Sequence, residues 1–197
     1  MYKVRIDFLG LVTASLLLCA SCISMSIPDL SLKSVEVVDQ AKQPELAAMN
    51  MSRVEKPYRL LKVSFTSNVN LPRYLAENSY PIGNTAIFCD SSQDREMARA
   101  SWSSVYHSGI KVGSFGTGPQ IEGEGPYTYY SFFTLSRPAN QHFVQGKALP
   151  AYDLSQKIVD LCFDLRGGAA PSPFGYKSNM VRIPAASIEA ALRNSKQ

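Results

Sequence analysis

The chain has 197 residues, a formal charge of +4, four cysteines and two histidines. That length suits one domain, and a charge this small, with no block of like sign and no aromatics interleaved with Lys and Arg, speaks against nucleic acid as a partner. Two histidines, with no carboxylates at a recognisable spacing, speak against a zinc centre.

The first segment reads as an export signal. Lys3 and Arg5 open it, thirteen nearly all apolar residues run from Phe8 to Ala20, and small residues close it. The run is shorter than the roughly 20 apolar residues that span a bilayer. Ala20-Ser21-Cys22 resembles a bacterial lipobox, with Cys19 standing where Leu is usual. It implies a signal peptide over 1–21 and lipidation at Cys22, leaving 176 residues (197 minus 21) and a charge of +3 once Lys3, Arg5 and Asp7 are gone. The competing outcome is ordinary cleavage nearby, with a soluble product. Cys19-Ala-Ser-Cys22 is not a redox pair, because a thiol of low pKa needs a folded helix start. With Cys19 removed and Cys22 acylated, Cys89 and Cys162 remain to pair in an oxidising compartment.

Residues 22–57 read as a tether, with an edge strand suggested at Val35–Val38, and residues 58–197 as a β-rich globular domain. In 58–67, Leu61, Val63 and Phe65 share one face, the period of a half-buried strand. Pro72–Asn78 suggests a turn of helix. Residues 84–90 form a second strand, carrying Cys89, and 100–107 with 109–115 a third strand and its continuation, broken at Gly109. Residues 127–136 are the most β-prone stretch. In 156–167 the residues Val159, Leu161, Phe163 and Leu165 face the core, so Cys162 needs a bulge, an edge position or a loop partner to reach Cys89. Residues 178–184 are the last strand. Pro184 then opens a helix whose Ile188, Ala191 and Leu192 make one apolar stripe. The expected fold class is mainly β, an antiparallel sandwich-like domain with a short C-terminal helix. Cys89, Trp102 and Cys162 lie near immunoglobulin spacing, but Asp160 stands where the tyrosine of such domains belongs.

Chemistry is sparse. Residues 113–116 do not form a nucleophile elbow. The glycine-rich 116–125 lacks the Lys and following helix of a phosphate-binding loop, and reads as a hairpin loop. No catalytic residues, no metal and no cofactor are expected. What remains is recognition material: Glu122 and Glu124 beside Tyr127, Tyr129 and Tyr130, since tyrosine offers large contact area at little entropic cost, with one face of their strand packing inward and the other left free.

The block 158–184 carries Cys162, Gly167, Gly168, Gly175, Ser178, Asn179, Val181, Ile183 and Pro184. It resembles enterobacterial periplasmic lipoproteins described as immunity proteins of type VI secretion systems; Pro171 and Pro173 depart from that pattern. The resemblance implies a protein that is not an enzyme. It would bind and neutralise a toxic hydrolase acting on phospholipid or peptidoglycan, and would be held by its lipid on the periplasmic side of the outer membrane. Ile23 after the lipidated cysteine fits outer-membrane sorting. The resemblance does not locate a binding site; the acidic loop beside tyrosines, suited to capping a basic cleft, makes Glu122, Glu124, Tyr127 and Tyr129 the expected effector-binding residues. The alternative is an outer-membrane lipoprotein that maintains the envelope.

Overall fold

The computed structural model describes residues 25–27, 29–47, 59–78, 82–90, 98–113, 118–140, 142–144, 146–168 and 175–195. The leader, Cys22 and the 171–173 segment lie outside them, as does the side chain of Trp102.

The strands in chain order begin with β1 (Met25–Ile27), β2 (Ser31–Asp39), β3 (Arg59–Ser67), β4 (Gly83–Phe88) and β5 (Arg99–Ser103). They continue with β6 (Val105–His107), β7 (Ile110–Lys111), β8 (Tyr127–Thr134), β9 (Ser136–Arg137), β10 (Phe143–Val144), β11 (Lys147–Ala148) and β12 (Tyr152–Asp153). The last three are β13 (Leu161–Gly168), β14 (Gly175–Ser178) and β15 (Val181–Ile183), followed by a C-terminal helix, Ala185–Asn194. Among the described residues, a six-stranded sheet runs β1-β14-β13-β4-β5 with β15 also on β13, a five-stranded sheet runs β2-β3-β8-β6-β7, and β10–β11 and β9–β12 form two small two-stranded sheets. Apart from the parallel β1–β14 pair, the pairings are antiparallel. The expected class, mainly β with a short C-terminal helix, is what the chain adopts.

Alternation builds the core between the sheets. Leu61, Val63 and Phe65 of β3 and Tyr129 and Phe133 of β8 face Leu161, Phe163 and Leu165 of β13 and Ala86 of β4, in one buried cluster. The Phe163 ring lies 5.3 Å from Phe65 and 6.0 Å from Phe133, so one side chain ties β13 to two strands of the opposite sheet. The C-terminal helix buries Ile188, Ala191 and Leu192, as its stripe predicts.

Three expectations need correction. The stretch 22–57 is more than a spacer: β2 pairs with β3 from Ser31 to Asp39, and Ile27 is wholly buried. Its Leu and Val residues recur among Ser, Lys and Glu because the strand is half-buried. Second, 100–107 is two strands in different sheets, since β5 lies beside β4 while β6 lies beside β8. Leaving one sheet at Ser104 deprives β8 of a neighbour. Inward-facing serines of β5 replace it: the Phe132 amide donates to the Ser103 hydroxyl (3.0 Å) and the Thr134 amide to that of Ser101 (3.3 Å). Third, the loop before β8 is not a hairpin, because β6 lies between β7 and β8. The hairpin is β6–β7, turned by Ser108 and Gly109, both at positive φ, as a two-residue turn requires.

The expected disulfide is present. Cys89–Cys162 forms, closing 73 residues with 5.1 Å between Cα atoms. Cys162 sits opposite Ile87 on β4, and Cys89 lies one residue past that strand's end, which is the loop partner Cys162 requires. An immunoglobulin disulfide joins two sheets; this one joins neighbouring strands of one sheet.

The C-terminal helix is fixed by a carboxylate from outside it. Asp160 accepts the Ala185 amide (2.6 Å) and pairs with Arg182. Both contacts favour the charged form and hold Asp160 below the usual carboxylate range. With the folded value below the unfolded one, the stabilisation is complete above about pH 5 and is lost as pH falls through the folded value. Asp160→Asn should therefore lower the urea midpoint near neutrality, with the difference from the parent shrinking as pH falls below the ordinary carboxylate range. Parallel curves across that range would contradict the linkage.

Candidate functional site

The loop that leads into β8 carries the acidic residues, and its shape is set from both ends. Gly118 at its base has φ +146°, and a Cβ there would lie 3.1 Å from the Gly113 nitrogen and 3.2 Å from the Lys111 oxygen. Further along, Asn70 donates from Nδ2 to the Ile121 carbonyl (2.9 Å), and the half-buried Ile121 packs on the core. The Tyr127 hydroxyl then reaches back to the Gly123 carbonyl (2.7 Å), closing a small ring around Glu124. Glu122 and Glu124 are exposed and Tyr127 is half-buried.

Tyr129 does not belong with them. It is 0% exposed. Its hydroxyl accepts the Leu71 amide (2.9 Å) and donates to the Val69 carbonyl (3.2 Å). Burial pushes its pKa up to about 12. It fastens the start of the helix Leu71–Asn78 to β8 and offers nothing to a partner. Parity explains this: Tyr129 shares a face with Phe133, and that face turns to the core.

The opposite face of β8 is not free either. Tyr130 and Phe132 form a second cluster with Tyr106, Leu60 and Leu46. The Lys62 ammonium lies 4.3 Å from the Tyr130 ring centroid, and the Tyr130 hydroxyl donates to Glu45 (2.8 Å). Burial and the Glu45 carboxylate push the Tyr130 pKa up to about 12. The helix Pro44–Ala47 thus seals a sheet face that the sequence leaves open to recognition.

Of the expected contact residues, Glu122, Glu124 and Tyr127 come together on one loop and Tyr129 lies beneath it. His107 ends β6, donating from Nδ1 to the Thr128 carbonyl (2.8 Å), with its ring 5.5 Å from that of Tyr129. His142 is exposed. Among the described residues no cluster of His, Cys, Asp or Glu is set to hold a metal, and no helix is long and apolar enough to cross a membrane. Comparison with protein-family models, curated proteins and solved structures found no match.

Residues that sequence reasoning missed surround the same loop. Lys33 donates to the Thr128 hydroxyl (3.0 Å). Ile110, at the tip of the β6–β7 hairpin, is 53% exposed. An apolar residue directly after Ser-Gly, in a two-residue turn, is the signal that marks it.

Proposed function

We propose that the chain is a periplasmic immunity protein, lipid-anchored through Cys22, that binds a toxic secreted hydrolase and performs no catalysis itself. The observation that carries this reading is the Cys89–Cys162 disulfide behind an export-type leader, since such bonds persist in oxidising compartments. A stapled sandwich with a tethered, exposed acidic loop supports a rigid inhibitor: Glu122 and Glu124 meet a basic cleft, and Tyr127 supplies contact area. Tyr129 is no longer part of the contact set.

Deleting the gene should sensitise cells to sister cells that deliver the effector. Glu122→Ala with Glu124→Ala should weaken capture of that effector by about tenfold or more without changing the thermal midpoint. If deletion mutants survive every effector-bearing neighbour yet become detergent-sensitive, the envelope-maintenance reading replaces this one.

A further inference from the structure

Between β9 and β12 the chain leaves the two main sheets and forms the β10–β11 ribbon, a two-stranded sheet of its own. A ribbon of this kind has two open edges and is marginally stable in isolation. Here its base is clamped. Arg137, 5% exposed, donates from Nε (3.0 Å) and Nη2 (2.6 Å) to the Pro150 carbonyl. Its Nη1 donates to the carbonyls of Arg99 (2.8 Å) and Ala100 (3.1 Å). Burying a guanidinium costs free energy, and these bonds fix where the ribbon stands.

Strand alternation determines what the ribbon presents. The Leu149 amide donates to the His142 carbonyl (2.8 Å), so that pair is hydrogen-bonded and the next, Phe143 with Ala148, is not. The amide and carbonyl of Phe143 therefore point outward along the β10 edge, and those of Ala148 along the β11 edge. The same alternation divides the faces. Leu149 is buried and shares its face with His142, Val144 and Lys147, while Phe143 and Ala148 point the other way. Phe143 is 60% exposed in consequence.

Charge and register select what can meet that edge. From Pro138 to Tyr152 the only Lys, Arg, Asp or Glu is Lys147, and it lies on β11. A second β10, brought up antiparallel, places Phe143 opposite Phe143 on a two-fold axis. The two residues exchange both backbone bonds, and their rings lie side by side in an apolar row of Ala148, Phe143, Phe143 and Ala148 across four strands. The β11 edge is unsuited to this. Lys147 flanks it on one side, and on the other the buried Leu149 and the clamped Pro150 tie it to the domain.

We infer that the β10 edge is a self-recognition site, at which two copies of this chain join their ribbons into one four-stranded antiparallel sheet. The contact is small and belongs to the weak, transient class of association. It stands independently of the immunity reading and is compatible with it. The acidic loop precedes β8 and the ribbon follows that strand, roughly 24 Å further along, so pairing leaves Glu122, Glu124 and Tyr127 free in both copies.

The test uses the full chain in intact cells, with Phe143→benzoylphenylalanine as a photocrosslinker and Glu189→benzoylphenylalanine, on the C-terminal helix, as the control. Irradiation should give a species of twice the monomer mass from the first position and none from the second. Peptide mapping should place the link at 142–144 of the other copy. A link to a different protein, a link elsewhere on this chain, equal self-linking from both positions, or no link overturns the inference. Sedimentation velocity of the purified full-length protein gives an independent reading. Phe143→Asp sets two carboxylates face to face on the axis and should weaken self-association by about tenfold or more. The thermal midpoint should hold, because the side chain is exposed. Unchanged self-association in that variant also overturns the inference.

Discussion

Alanine at Phe163 is expected to cost about 3–5 kcal/mol, by the usual penalty for removing a wholly buried phenyl ring. The ring is 0% exposed and touches Phe65 and Phe133 on the facing sheet, so its loss opens a void where the two layers are joined. Domains of this kind are stable by about 5–15 kcal/mol, so one substitution removes a large share. Urea unfolding should show a lower midpoint at an unchanged slope, the mark of lost stability without altered compactness. A loss below about 1 kcal/mol would mean that the interface closes over the gap.

Replacing Cys89 and Cys162 together by alanine should cost about 4 kcal/mol, from the freedom regained by an unfolded loop of 73 residues. At about 2–4 °C per kcal/mol, the thermal midpoint should fall by roughly 10 °C. The folded structure should change little. β4 and β13 are already paired from Gly83 to Phe88, and Cys162 rests beside Ile87 and Ala98 in a small apolar group that tolerates a methyl. Reduction of the parent should reproduce the shift, and the double variant should be indifferent to reductant. A reductant effect in the variant would show that the bond is not the cause.

The strands that proved legible are those with one buried face. Leu61, Val63 and Phe65, or Leu161, Phe163 and Leu165, announce their period because the alternative register would put them in water. The C-terminal helix was legible from Ile188, Ala191 and Leu192 for the same reason. β2 was harder, since its residues are half-buried and its composition resembles a spacer's. The change of sheet at Ser104 was not legible at all: alternation continues through it, and the partner strands are distant in sequence. At the loop, Glu122 and Glu124 were readable as exposed from Gly and Pro around them. The inward parity of Tyr129 depended on which face β3 offered, and no local pattern around 127–136 contains that.

β1 and its partner strand have a consequence for the order of events during biosynthesis. The first described residues pair with almost the last: β1 lies on β14, and the Leu30 amide donates to Asn179 across 149 residues. At a ribosomal pace of about 5–20 residues per second, the nascent N-terminus waits on the order of ten seconds for its mate. Until then neither the sheet edge nor the Ile27 pocket can close, and the polypeptide stays threadable. The native topology thus withholds its final latch until synthesis is nearly over.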